Sequence, residues 1–276
     1  MKKKAIHIGI IGLGNMGSAI AARLASLYTI YAFDKDTQKT ARVTGIVLAA
    51  NIQELLTYSR VVFLAVKPQD FETVLPQLKG FIADKLVVSI AAGITTDYIE
   101  QALGQVRVVR AMPNIALKIG KSFTCICKGR FAQAQDLHFA QKIFASLGET
   151  LVLNEKMMDA ATAVVGSGPG FFYYLTQGMS QPERREYTKD VFIPQFCRAA
   201  QHVGFGATQA KLAVKAIVKG SLSLLKASGE SAPVLCCRVT SKGGTTEAGL
   251  KFFSADRNAF IPAVCAAVKR AEELRR

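Results

Sequence analysis

Ala5-Ile6-His7-Ile8-Gly9-Ile10-Ile11 runs straight into Gly12-Leu13-Gly14-Asn15-Met16-Gly17, and this junction decides the fold. The first piece is short, apolar and β-branched, so it reads as a buried strand. Ser18 to Leu27 follows, rich in alanine, and reads as a helix. Strand, Gly-x-Gly-x-x-Gly and helix in this order form the setting in which such glycines bind a dinucleotide. The first glycine makes the tight turn. The second lets a pyrophosphate approach, and the third lets helix and strand pack closely. The helix N-terminus faces the phosphates. Ile11, Gly12, Leu13, Gly14, Asn15, Met16 and Gly17 are therefore expected to contact the cofactor.

The same alternation continues downstream. Thr29 to Phe33 is a second strand, ending in Asp34-Lys35-Asp36. An acidic residue there takes the ribose 2′-hydroxyl of NAD and repels a 2′-phosphate. Lys35, Lys39 and Arg42 lie within a turn or two and suit that phosphate, so NADH and NADPH both stay open. Gln53 to Thr57 reads as a helix, Val61 to Val66 as a strand before Lys67-Pro68, and Phe71 to Leu78 as a helix. Leu86 to Ile90 is a strand ending in Ala91-Ala92-Gly93; Thr95 or Thr96 caps a helix to Leu103; Val106 to Met112 is a strand. Continuous apolar strands separated by helices mean a parallel, doubly wound α/β sheet covered on both faces. Ligands bind at the carboxyl ends of such strands. Here those ends are Gly12 to Gly17, Asp34, Ala65-Val66-Lys67-Pro68, Ala91-Ala92-Gly93 and Met112 to Asn114. Ser122 to Cys127 and Leu151 to Leu153 read as further strands around a helix from Phe131 to Leu147. The dinucleotide-binding domain is placed at 1–153 and a second domain at 154–276.

In the second domain strand signals almost vanish. Helices are expected at Met158–Val165, Phe171–Met179, Phe192–Val203, Thr208–Leu225, Thr246–Phe253 and Arg257–Leu274. The polar stretch Ser180 to Asp190 reads as a solvated loop or a helix start. Gly166-Ser167-Gly168-Pro169-Gly170 interrupts the first helix and suggests backbone close to a ligand or another chain. Val239-Thr240-Ser241-Lys242-Gly243-Gly244-Thr245-Thr246-Glu247 is a glycine turn opening a helix, and such a turn offers N–H groups to a carboxylate or phosphate. The surplus of apolar helix surface favours a homodimer.

Composition narrows the function. The net charge is +15, which favours anionic partners, but apart from Lys2-Lys3-Lys4 the basic residues are scattered. Neither a nucleic-acid signature nor a run long enough to span a bilayer is present. Met1, three lysines and an apolar stretch mimic an export signal, yet Gly9, Gly12, Gly14 and Gly17 do not suit one, so a cytoplasmic location is expected. The six cysteines (Cys125, Cys127, Cys197, Cys236, Cys237 and Cys265) form no metal-ligand spacing and read as buried thiols. His7, His138 and His202 are isolated, so no metal is expected.

Gly12 to Gly17, Ala65-Val66-Lys67-Pro68-Gln69, Gly166-Ser167-Gly168-Pro169 and Val239 to Thr246, in this order, resemble the pyrroline-5-carboxylate reductases. Ala91-Ala92-Gly93, Met112-Pro113-Asn114 and Asp159-Ala160 match as well, so the resemblance spans nearly the whole chain. It implies a Rossmann domain, a helical dimerisation domain and often a ring of dimers. It also implies reduction of the cyclic imine to proline by NADPH or NADH, the last step of proline biosynthesis. In the substrate site it places Ser167, Gly168, Ser241, Gly243, Gly244, Thr245 and Thr246, with the Thr246 hydroxyl on the ring nitrogen as the catalytic group. Asn51 is implied near the adenosine, and Asn114 joins the cofactor residues. A protonated imine carries its own activating charge, so positioning and electrostatics suffice. Ile115-Ala116 departs from a usual Thr-Pro, Val165 from a serine, and Lys242 from a proline. Lys242 is expected to tighten substrate binding. Two alternatives stand beside this reading: a reductase of the β-hydroxyacid dehydrogenase type, and a non-enzymatic nucleotide-binding regulator.

Overall fold

The computed structural model describes residues 4–40 and 43–276; Arg42 and the lysines at 2 and 3 lie outside the described residues. Strands β1 (Lys4–Ile11), β2 (Tyr28–Phe33), β3 (Val47–Leu48), β4 (Val61–Leu64), β5 (Leu86–Ser89), β6 (Arg107–Met112), β7 (Ser122–Lys128) and β8 (Gly148–Val152) form one sheet. Their order is β3-β2-β1-β4-β5-β6-β7-β8. Pairings from β3 through β6 are parallel, with Ile11 level with Phe33 and Leu64, and Leu64 level with Ser89. The order reverses between β2-β1 and β1-β4, which is where a doubly wound sheet opens a crevice. Every residue of β4 and β5 is buried, as continuous Val, Leu and Phe runs require in a sheet covered on both faces.

The helices between these strands are α1 (Asn15–Leu24), the single turn α2 (Thr37–Thr40), α3 (Ile52–Tyr58), α4 (Phe71–Leu78), α5 (Thr96–Leu103) and α6 (Ala134–Ala145). Helix α1 starts earlier than expected, inside the glycine motif, because Gly14 serves as its N-cap. Thr95, not Thr96, caps α5, its side chain accepting from the Tyr98 N–H at 3.1 Å. The exposed edge pair Val47–Leu48 carries too little pattern to announce itself as a strand.

Contacts divide the chain into two compact units. One contains residues 1–111, 126–146 and 276, and the other contains 112–125 and 147–275. The single boundary expected after Leu153 does not coincide with this division. The second unit is mainly helical: α7 (Met158–Ala161), α8 (Gly168–Thr176), α9 (Gln181–Tyr187), α10 (Ile193–His202), α11 (Ala207–Ser228), α12 (Ala232–Val239), α13 (Thr245–Ala255) and α14 (Phe260–Glu273). Phe171, Phe192, Phe196, Phe253 and Phe260 form its aromatic centre, with ring centroids 5.2–6.2 Å apart. Tilted and edge-on pairs of this kind add about 0.5–1.5 kcal/mol each beyond their burial. Two π turns interrupt the helices, at Thr162–Gly166 and Thr188–Phe192.

Of the two readings of Ser180 to Asp190, the helix start is the one the structure takes: Ser180 and Glu183 form a reciprocal capping box, proline follows the cap, and the π turn carries the chain into α10. Two expectations are corrected. Helix α12 is an addition to the expected helices, although Gly229 ends α11 and Pro233 stands in its first turn. The cysteines are not uniformly buried. Cys125, Cys127 and Cys236 are buried, Cys197 and Cys265 are partly so, and Cys237 is exposed; all six are free. Burial pushes the Cys125 thiol up, away from the reactive thiolate. Among the described residues no helix is long and apolar enough to cross a membrane.

Candidate functional site

In the first unit a cavity of about 400 Å³ opens at the carboxyl ends of β1, β2 and β4. Ile11, Gly12, Gly14, Asp34, Lys35, Ala65, Val66 and Lys67 line it, all of them expected cofactor residues. Gly12 has φ +97°, and a Cβ there would lie 2.8 Å from the Ala65 carbonyl carbon and oxygen. A Cβ on Gly17 would overlap the Gly12 carbonyl oxygen. A Cβ on Gly14 would meet no protein atom within 4 Å. Two glycines are thus needed by the turn itself, while the third leaves open space on the side where a pyrophosphate would lie. This cradle fits a dinucleotide.

Asp34, the acidic residue expected at a ribose, has protein partners of its own. Its Oδ2 accepts the Leu13 N–H at 2.6 Å and its Oδ1 accepts the Asp36 N–H at 2.9 Å, while its side chain is only 8% exposed. It therefore ties the glycine turn to the end of β2. Lys39 Nζ stands 3.6 Å from the same carboxylate. Lys35 bonds Asp70 at 2.8 Å, and that partner holds its ammonium pKa above the ordinary lysine value. Asp34 and these lysines bring both charge signs to the place where a 2′-hydroxyl and a 2′-phosphate would be told apart.

The remaining expected cofactor residues lie outside this cavity's wall. Leu13 and Gly17 are buried in the turn, and Asn15 and Met16 begin α1. Pro68 opens a 3₁₀ turn over Pro68–Asp70. Ala91, Ala92 and Gly93 follow β5, where the Gly93 carbonyl accepts the Arg276 N–H at 2.8 Å. Asn51 caps α3 by accepting the Glu54 N–H at 2.8 Å, a contact of about 1 kcal/mol that explains the residue without a ligand. Asn114 belongs to the second unit. Its Oδ1 accepts the Ala116 N–H at 3.1 Å, and its buried Nδ2 has no partner. A buried amide with unused donors is costly unless something else accepts from it.

The other expected site is the turn before α13. Gly243 has φ +69°, which favours glycine. Its N–H donates to Glu247 Oε2 at 2.7 Å, and the Gly244 N–H donates to the Ser241 carbonyl at 2.9 Å. Neither glycine N–H is left over for a ligand. The first intrahelical bond of α13 is from the Ala248 N–H to the Gly244 carbonyl, so the N–H groups of Thr245, Thr246 and Glu247 have no helical acceptor. These are the N–H groups of the turn that remain available to an anion. The Thr245 hydroxyl lies 3.0 Å from the hydroxyl of Ser167, a fully buried residue placed directly after the first π turn. Thr246 is 4% exposed, and its methyl faces Gly170, where a Cβ would come within 2.6 Å of it. Gly168 lies against the Phe196 ring, with 3.0 Å between a Cβ there and the ring. The glycine cluster thus admits helices of the same chain at close range.

A second cavity, of about 800 Å³, adjoins the turn. Gly243, Gly244, Glu247, Lys251, Lys269 and Arg270 line part of it. Glu247 and Arg270 both touch the turn and stand outside the expected site residues. Glu247 was legible as the acidic residue three places after a helix cap. Arg270, on α14, has no local signal.

Comparison with known proteins follows the same division. Residues 7–93 match the family described as NADP oxidoreductase, coenzyme F420-dependent, and residues 190–274 match pyrroline-5-carboxylate reductase dimerisation. The pyrroline-5-carboxylate reductase of Synechocystis is 32% identical over 283 residues, covering 98% of each chain. A pyrroline-5-carboxylate reductase structure from Coxiella burnetii superposes with a TM-score of 0.66 at 28% identity, covering 99% of this chain and all of that one. The Plasmodium falciparum pyrroline carboxylate reductase, solved with NADP bound, gives a TM-score of 0.65 at 25% identity over 99% of both chains.

Proposed function

The chain belongs to the pyrroline-5-carboxylate reductase family, and from that premise we propose how its residues divide the work. The protein reduces 1-pyrroline-5-carboxylate to proline. Bound NADH or NADPH supplies the hydride to the imine carbon. The cradle of Gly12 to Gly17, with Asp34, Lys35 and Ala65 to Pro68, holds that cofactor, and residues 1–153 carry this task. Residues 154–276 carry substrate recognition and self-association. The observation that supports this reading most directly is the start of α13, where three N–H groups without helical acceptors stand beside paired threonine and serine hydroxyls. Thr245 and Thr246 grip the substrate carboxylate through their N–H groups. The Thr246 hydroxyl meets the ring nitrogen, and Ser167 orients Thr245. Ser241, Gly243, Gly244 and Gly168 shape the turn and its support. The unused Asn114 Nδ2 suits a carbonyl acceptor on the cofactor, and Ala91, Ala92, Gly93 and Asn51 complete the proposed cofactor set. The match of residues 190–274 to a dimerisation family supports a homodimer, and a ring of dimers is the fuller assembly proposed. Six free thiols accord with a cytoplasmic location.

The test is direct. Purified protein is mixed with pyrroline-5-carboxylate and either reduced cofactor, and loss of the reduced-nicotinamide absorbance is followed. Turnover with neither cofactor would refute the assignment.

Asp34 decides part of the cofactor preference. Asp34→Asn is expected to raise the NADPH/NADH ratio of kcat/KM by about tenfold, from the loss of one like charge near a phosphate. Both absolute values should fall, because the Leu13 N–H loses an ionised acceptor. An unchanged ratio would confine Asp34 to holding the turn. Lys242 is exposed beside the turn, and Lys242→Pro removes a cation and an N–H from it. The KM for pyrroline-5-carboxylate is expected to rise about threefold, the scale of one charge at an exposed helix end. Equal KM values would remove Lys242 from recognition.

A further inference from the structure

The two peptides that flank Gly243 are each held by a charged side chain, the two of opposite sign. Glu247 Oε2 accepts its N–H at 2.7 Å, and Arg270 Nε donates to its carbonyl at 2.7 Å. Arg270 is itself steadied by Glu273, its Nη1 donating to Glu273 Oε2 at 2.8 Å. A Cβ on Gly243 would sit 3.7 Å from Arg270 Nη2, so the guanidinium lies along the glycine rather than at the end of a loose reach. Gly243 at φ +69° is the one left-handed residue of the turn. Such a glycine is free to reorient both flanking peptides unless something else fixes them. Gly244 supplies no side-chain cap, so α13 lacks the usual device that sets the direction of its first turn. The two charge-assisted hydrogen bonds stand in for that cap. They fix the peptides before Gly244, and through them the direction of the Thr245 and Thr246 N–H groups.

We propose that Arg270 is a positioning residue for the carboxylate-gripping turn, working as a clamp with Glu247 on the two peptides that flank Gly243. This rests on the reading that the start of α13 binds the substrate carboxylate. Arg270 reaches that carboxylate through the turn and needs no contact with the reacting atoms. Its side chain comes from α14, so the orientation of the turn depends on how α14 docks against α13. Glu247 adds a carboxylate near the bound anion, and the Arg270 guanidinium offsets it.

The test compares R270A, E247A and E247Q with the wild-type enzyme, which must first show turnover of pyrroline-5-carboxylate. R270A and E247A are each expected to raise the KM for pyrroline-5-carboxylate at least tenfold. The cofactor KM and kcat should stay within about threefold and the thermal midpoint within a few degrees. E247Q keeps the acceptor for the Gly243 N–H and should restore most of what E247A loses. Inhibition by L-proline, which carries the same carboxylate, should weaken in step with the substrate KM. A substrate KM unaltered in R270A would overturn the clamp. So would a parallel loss of kcat, both KM values and thermal midpoint, which marks a merely structural arginine, or identical behaviour of E247A and E247Q. Inactivity of the wild-type protein toward pyrroline-5-carboxylate would instead strike the functional assignment on which the clamp depends.

Discussion

Thr246→Ala is expected to lower kcat/KM for pyrroline-5-carboxylate by about 10²-fold, the upper range for one hydrogen bond to a charged group. The residue is 4% exposed at the second position of α13, and its side chain performs two separable tasks. The methyl packs toward Gly170, a contact of helix on helix. The hydroxyl is the group proposed for the ring nitrogen. Alanine removes both the hydroxyl and one methyl. Thr246→Ser removes only the methyl, so it should lose about 1 kcal/mol of stability while keeping most of the activity. Steady-state kinetics and thermal unfolding of the two variants separate the tasks. If serine and alanine variants lose activity equally, the threonine acts through packing and the proposed contact with the nitrogen falls.

The second large effect concerns the glycines proposed to hold the cofactor. Gly17→Ala should destabilise the first unit by about 2–4 kcal/mol, because the new Cβ overlaps the Gly12 carbonyl and the overpacked backbone must shift. Cofactor affinity should fall with it. Gly14→Ala should behave differently. Its Cβ meets no protein atom within 4 Å, so the thermal midpoint should hold while affinity for the cofactor drops at least tenfold. Calorimetric titration with NADPH and NADH, beside thermal unfolding, tests the contrast. Intact cofactor binding in Gly14→Ala would mean that the phosphates lie elsewhere.

Much of this architecture was legible from local chemistry. The strand, the three glycines and the helix announce themselves within one short stretch of chain. Strands β4 and β5 are short runs dominated by Val, Leu and Phe, a pattern that buried parallel strands share. Helix α4 has the bounds its sequence predicts, since Pro68 precedes it and Lys79-Gly80 follows. The Gly243-Gly244 turn was legible as the opening of a helix, since α13 starts at Thr245 with Gly244 as its cap. Other features escaped because they depend on partners distant in sequence. The Asp34 carboxylate bonds the Leu13 N–H, 21 residues away, so its structural duty is visible only once β1 and β2 are side by side. Arg270 meets Gly243 across 27 residues. Ser180 to Asp190 stayed open between loop and helix start for a different reason: its polarity favours a loop, while the capping box at Ser180 and Glu183 favours the helix that forms. The use of the two glycine N–H groups within the turn was also hidden, since sequence shows which donors exist and not which are already engaged.

The π turn at Thr162–Gly166 has a consequence for mutational tolerance. Its last turn closes from the Ser167 N–H to the Thr162 carbonyl, one residue wider than an α turn. The wider turn absorbs one extra residue without changing the bearing of Ser167 around the helix axis. Removing one position between Thr162 and Gly166 would let the serine N–H close an α turn on the same Thr162 carbonyl, so the serine would keep facing Thr245. In a plain α-helix the same single-codon deletion would swing every later side chain by about 100°.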